Sequence, residues 1–89
     1  MLKQEVTILN RLGLHARPSA KLAQLAGEFE SEIWLTRGER RINAKSIMGV
    51  MMLAAGQGRQ LTLEISGRDE EAAMAALAEL IAGRFDEEE

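Results

Sequence analysis

The sequence predicts an α+β fold of two layers, with its elements in the order βαββαβα. Three observations predict it. Several stretches alternate with a period of two and carry apolar residues on one side only, as strands do in an antiparallel sheet open to water on one face. Between them lie segments of helical period whose apolar stripe must cover the other face. No repeat or linker interrupts the order over 89 residues, so one domain spanning residues 1–89 is expected.

The first strand is expected over residues 2–9, where Val6 and Ile8 alternate with Glu5 and Thr7. Residues 10–13 break it. From Ala16 to about Phe29 the period turns helical. Pro18, Leu22, Leu25, Ala26 and Phe29 share one face, and Arg17, Lys21, Gln24 and Glu28 another. Pro18 suits a first turn, where its missing N–H is not needed. His15 therefore lies at the helix N-terminus or just before it.

Ile33 and Leu35 mark a second strand, and Arg37-Gly38-Glu39 a turn. Arg41 to Ala44 closes the hairpin as a third strand. Ser46 then caps a short helix over roughly Ile47 to Ala54, which Gly56-Gln57-Gly58 ends. Residues 60–66 show the cleanest alternation, with Leu61, Leu63 and Ile65 on one side. Asp69 is read as the N-cap of the last helix, with Glu70 and Glu71 at its positive end. That helix is expected to bury Ala73, Ala76, Leu77, Leu80 and Ile81, to end near Gly83, and to release a solvated tail from Asp86 to Glu89.

Composition narrows the function. Apolar residues make up 46% and charged residues 28%, a globular balance rather than a disordered one. There is no cysteine, so disulfides and thiolate metal sites are excluded, and a single histidine forms no zinc cluster. A cytoplasmic setting fits. The N-terminus reads as neither a signal peptide nor a membrane span. A net charge of −3 with one Trp, two Phe and no Tyr disfavours a nucleic-acid partner.

Gly13-Leu14-His15-Ala16-Arg17-Pro18 carries the chemistry. Gly13 is read as a tight, exposed turn that sets His15 at a helix mouth. Such a mouth presents free N–H groups and partial positive charge. A phosphoryl group on the imidazole brings about two negative charges near neutral pH, which the helix end and the Arg17 guanidinium offset. Imidazole, with an unperturbed pKa near 6.5, is neutral enough to attack at physiological pH and also leaves well. Neither a separate base, a metal nor a cofactor is called for. Spacing alone still leaves His15 open as a loop or capping histidine, Arg17 as a solvated residue and Pro18 as structural.

The helix from Ile47 onward is apolar on every face, with Met48, Met51 and Met52. A domain this small cannot surround it. Met48 and Met51, with Ile47, are therefore expected to form a docking patch beside His15 that repacks against several partners. Ala20, Lys21 and Gln24 on the first helix are expected at its rim.

Gly-Leu-His-Ala-Arg-Pro resembles the active-site signature of the HPr family, the histidine phosphocarriers of the bacterial phosphoenolpyruvate-dependent phosphotransferase system (PTS). The segment from Ala44 to Gly58 resembles the family's second signature. The resemblance implies an HPr-like open-faced β-sandwich, with three helices over a four-stranded antiparallel sheet. It implies phosphorylation of His15 on Nδ1 by enzyme I, support of the phosphoryl group by Arg17, and transfer to a histidine of an enzyme IIA-type acceptor. It agrees with docking through the short helix and the first helix. In some branches the serine matching Ser46 is phosphorylated by an HPr kinase/phosphorylase. Such a phosphate would stabilise the helix yet place charge inside the apolar patch. A carrier that shows one site to successive partners is expected to be a monomer.

Within the family, Asn10-Arg11-Leu12, Gly58-Arg59-Gln60 and Phe85-Asp86-Glu87-Glu88 look more like the nitrogen-related branch, NPr, than the sugar-transport branch. These segments are read as short and exposed. Two other classes compete. One is a small α+β regulatory module that binds a partner or ligand without phosphoryl transfer. The other is a docking regulator of the same fold, against which His15 and Arg17 together argue. An enzyme is not expected, for no acid–base pair or nucleotide loop is present.

Overall fold

A computed structural model gives the fold and describes residues 1–53 and 55–86. The strands are β1 (Leu2–Thr7), β2 (Glu32–Arg37), β3 (Arg40–Asn43) and β4 (Gln60–Ser66). The helices are α1 (Ala16–Gly27), α2 (Ile47–Met52) and α3 (Glu70–Ala82). A 3-10 turn, Arg84–Asp86, follows α3. The expected α2 end at Ala54 and the tail at Glu87–Glu89 lie outside the described residues.

The strands form one antiparallel sheet in the order β1-β4-β2-β3. Registers such as Val6 with Leu61 and Ile33 with Ile65 bring the apolar sides of the strands onto one face. Leu61, Leu63, Ile65, Ile33 and Leu35 are buried there. A shift of one residue would turn all of them to water, which is what specifies the pairing. The opposite face carries Lys3, Glu64, Trp34 and Arg41. Glu64 pairs with Lys3 at 3.6 Å and Arg41 at 3.3 Å, and the Arg41 guanidinium lies 4.2 Å from the Trp34 ring centre. Helices α1 and α3 pack on each other, and α2 packs on α1. This is the α+β open-faced sandwich expected.

Boundaries moved by a few residues. The first helix ends at Gly27 rather than Phe29, and Phe29 packs half-buried beside the core. β1 ends at Thr7 rather than residue 9, though its ladder runs on through Ile8, which donates to the Arg59 carbonyl at 3.0 Å and accepts from Gly58 at 2.8 Å. β3 spans Arg40–Asn43 instead of Arg41 to Ala44. On α3, Met74 joins Ala73, Leu77 and Ile81 in the core, whereas Ala76 and Leu80 are only half-buried.

Asp69 stands at the N-cap of α3 but does not cap it with its side chain. Its carboxylate instead accepts from the Ser31 hydroxyl and from the Glu30 and Ser31 amides, tying α3 to the entrance of β2. These bonds, the Ser31 hydroxyl foremost, hold the carboxyl below its ordinary value of 3.8. Glu70 accepts from the Gly67 amide and pairs with the N-terminal amine at 3.2 Å, which likewise lowers its carboxyl. Two segments read as exposed each bury one residue, while Arg11, Leu12 and Asp86 in them are exposed. Phe85 and Asn10 are fully buried. Arg84, Phe85 and Asp86 all adopt positive φ, and this turn folds the Phe85 ring back into the core.

Candidate functional site

The chain between β1 and α1 is built by short-range hydrogen bonds. Gly13 donates to the Asn10 carbonyl at 3.2 Å, and Asn10 Nδ2 donates to the Gly13 carbonyl at 2.7 Å. Gly13 takes φ +67° and is buried, not exposed as expected. A Cβ there would lie 2.4 Å from the Ala55 carbonyl oxygen and 2.7 Å from Gly56 Cα. Both the conformation and the approach require glycine. Leu14 is buried as a plug, and its amide donates to the same Ala55 carbonyl at 2.9 Å. The segment following α2 is thereby pinned to the segment preceding α1.

His15 is the N-cap of α1, in extended geometry with φ −77° and ψ −172°. Its carbonyl accepts from Ser19 at 3.1 Å, the first turn of the helix. Its side chain does not cap the helix, and the residue is half-exposed. The first turn holds Ala16, Arg17 and Pro18, with no acidic residue. The Ala16 and Arg17 amides have no intrahelical acceptor, and proline brings no third amide. The positive end of α1 is therefore not neutralised from within its first turn, and Arg17 is exposed beside it.

Helix α2 is only six residues long and needs help at both ends. Ser46 caps it as expected, its hydroxyl accepting from the Gly49 amide at 3.0 Å. The β2–β3 hairpin holds the other end, since Arg37 Nη1 donates to the Leu53 carbonyl at 2.7 Å and Arg40 Nη1 to the Met52 carbonyl at 2.6 Å. These arginines satisfy carbonyls that a helix end leaves open. Val50 and Leu53 are buried, whereas Ile47, Met48, Met51 and Met52 stay exposed, Met48 by 69%. The helix is half core and half bare, as the small size of the domain required.

On α1, Ala20 is half-exposed and Gln24 exposed. Lys21 does not simply extend to solvent. Its Nζ donates to the Phe85 carbonyl at 2.6 Å and lies 4.0 Å from the Asp86 carboxylate. Two further apolar side chains that the sequence did not single out are exposed, Leu12 by 69% in the turn before Gly13 and Met52 on α2. Leu12 follows no period that would single it out. Met52 stood in the methionine run and was not selected. Among the described residues, no three His, Cys, Asp or Glu side chains gather as a metal site. No helix of the described residues is long and apolar enough to cross a membrane.

Comparison with known proteins follows the same lines. A family model for the PTS HPr component phosphorylation site matches residues 2–83. The phosphocarrier protein HPr of Cupriavidus necator is 61% identical over 100% of both chains. The phosphocarrier protein NPr of Shewanella violacea is 46% identical over 97% of this chain and 94% of its own length. An HPr from Thermoanaerobacter tengcongensis superposes with a TM-score of 0.96 at 45% identity, covering 100% of both chains, and an HPr dimer from that organism gives 0.79. A histidine at the mouth of α1, a bare helix beside it and relatives that match end to end lead to one conclusion: this chain belongs to the HPr family, the phosphocarriers of the phosphotransferase system, and is a carrier rather than a catalyst.

Proposed function

We propose that His15 is the residue that carries the phosphoryl group, received from enzyme I and passed to a histidine of an enzyme IIA-type acceptor. The observation that carries this reading is the placement of His15. It is half-exposed at the N-terminus of a helix whose first turn holds no acid and one arginine. The neutral imidazole attacks phosphorus with a nitrogen lone pair, forming an N–P bond while the donor's bond to phosphorus breaks and its electron pair leaves with the donor. In the second transfer the roles reverse. The acceptor imidazole attacks, the N–P bond at His15 breaks, and the pair returns to the His15 ring. Both partners there are imidazoles, so the exchange is nearly balanced in energy and consumes no net proton. The free amides of the first turn and the charge of Arg17, which follows His15 by two residues, would offset the added negative charge. The resemblance to the family supports Nδ1 as the modified atom.

Incubation with enzyme I and phosphoenolpyruvate tests this. Acid-labile, alkali-stable label is expected on the protein and is expected to vanish in His15→Ala. Label that survives that substitution would overturn the assignment.

Met48, Met51 and Ile47, with Met52 and Leu12, supply the docking face, and Ala20 and Gln24 its rim. Lys21 belongs to that rim as well, with its Nζ bonded to the Phe85 carbonyl. A phosphate on Ser46 would sit at the start of α2 among these apolar side chains, so modification by an HPr kinase/phosphorylase would weaken docking. Ser46→Asp is expected to raise the KM for enzyme I. The relatives carry both branch names, HPr at 61% and NPr at 46% identity. Competition between sugar-type and nitrogen-type acceptors for the phosphorylated chain decides between sugar uptake and nitrogen-related regulation. A cytoplasmic monomer serves either role, and sedimentation measures the oligomeric state.

A further inference from the structure

We infer that Asn10 and Ser19 are positioning residues for His15: they clamp the two peptides preceding it and so fix the Cα–Cβ direction from which the imidazole reaches phosphorus. The inference rests on the reading of His15 as the acceptor. Both residues are fully buried polar side chains in a small core. Burying such groups is costly unless each finds a partner. Ser19 ties two successive residues. Its amide donates to the His15 carbonyl at 3.1 Å and its hydroxyl to the Leu14 carbonyl at 3.2 Å. Asn10 holds the residue before, through Nδ2 to the Gly13 carbonyl at 2.7 Å. The Leu14 amide is held from across the fold by the Ala55 carbonyl at 2.9 Å.

The peptides from Gly13 to His15 are thus anchored at the Gly13, Leu14 and His15 carbonyls and at the Leu14 amide. A peptide plane held at its oxygen and flanked by fixed neighbours cannot rotate freely, so the Cα–Cβ direction of His15 is set. The loop has no sheet or helix of its own to do this. In-line transfer needs the attacking nitrogen aligned with the breaking bond, and a misplacement of about 1 Å costs about 100-fold in rate. Neither Asn10 nor Ser19 touches the phosphoryl group in this reading. They act through His15.

The test uses the full chain with enzyme I and phosphoenolpyruvate, comparing wild type, Ser19→Ala, Asn10→Ala and His15→Ala. Ser19→Ala keeps a good helix former in the first turns of α1, so the fold is retained. Urea unfolding gives the folded fraction of every variant. For Ser19→Ala, kcat for phosphoryl uptake is expected to fall about tenfold, between no effect and the cost of a full misplacement. KM stays within twofold, because the α2 face is untouched. Backbone couplings of His15 in NMR are expected to change from a single φ near −77° to an average. Asn10→Ala is expected to lower kcat likewise and to raise KM as well, because the turn it closes also carries Leu12 of the docking face. A kcat that follows only the folded fraction, or a KM that rises while kcat holds, overturns the positioning role. Label that persists in His15→Ala overturns the acceptor reading itself, a separate result.

Discussion

Replacing Gly13 by alanine tests how the site is held together. Two costs arise from the structure. The first is conformational, for alanine at φ +67° loses about 1 kcal/mol relative to glycine. The second is steric. The new Cβ would stand 2.4 Å from the Ala55 carbonyl oxygen and 2.7 Å from Gly56 Cα, both backbone atoms with no rotamer to escape through. Those atoms must retreat by about 1 Å to reach ordinary van der Waals separation. The Ala55 carbonyl also receives the Leu14 amide at 2.9 Å, so the retreat breaks a bond in a buried region, at about 1–3 kcal/mol. The expected destabilisation is therefore about 2–4 kcal/mol, a large share of what a domain of this size possesses. Gly38→Ala is the control. That glycine has φ +60° but nothing within 4 Å of a Cβ, so only the conformational cost of about 1 kcal/mol applies. Urea denaturation of the two variants measures the difference. If Gly13→Ala proves no less stable than Gly38→Ala, the reasoning that the two segments are in forced contact fails.

Met48→Asp is expected to leave stability within about 0.5 kcal/mol, because the side chain is exposed, yet to raise the KM for phosphoryl uptake from enzyme I at least tenfold. Unchanged uptake kinetics would remove Met48 from the docking face. Phe85→Ala empties a fully buried site and is expected to cost about 3–5 kcal/mol in urea titration; a loss under 1 kcal/mol would show that the terminal turn is not part of the core. The pH dependence follows from Asp69, whose folded pKa is held below the ordinary 3.8. Its bonds to Ser31 and Glu30 contribute stability that is present above the unfolded pKa and lost as pH falls through the folded value. Asp69→Asn is therefore expected to flatten the acid limb of a stability–pH curve recorded between about pH 5 and 2. An acid limb as steep as that of the wild type would show that Asp69 does not drive it.

The strands that cross the sheet were legible because alternation is a local property. Leu61, Leu63 and Ile65 declare their face without knowledge of any partner. So was the bare side of α2, since an all-apolar helix in a small two-layer domain has to leave residues uncovered. Ser46 was legible as a cap because capping acts within three residues. His15 was placed at a helix mouth by the helical period that begins at Ala16, with Gly13 and Pro18 marking the boundary, and the Gly-Leu-His-Ala-Arg-Pro signature supplied its family.

Contacts between distant segments were not legible. Asp69 had the residue type and position of an N-cap, yet its carboxylate serves Ser31 and Glu30, which lie nearly forty positions away. Arg37 was read as part of a turn and Arg40 fell between that turn and the third strand, yet both hold the carbonyl end of α2. Phe85 and Asn10 sat in segments that read as exposed, yet both are fully buried. Hydrophobic period and capping patterns act over a few residues, so the chain by itself determined its layers, its element order and the helix that presents His15. Which carbonyl a long side chain reaches, and which loop closes on Gly13, depends on where the sheet and helices set segments far apart in the chain, and only the tertiary structure decided it.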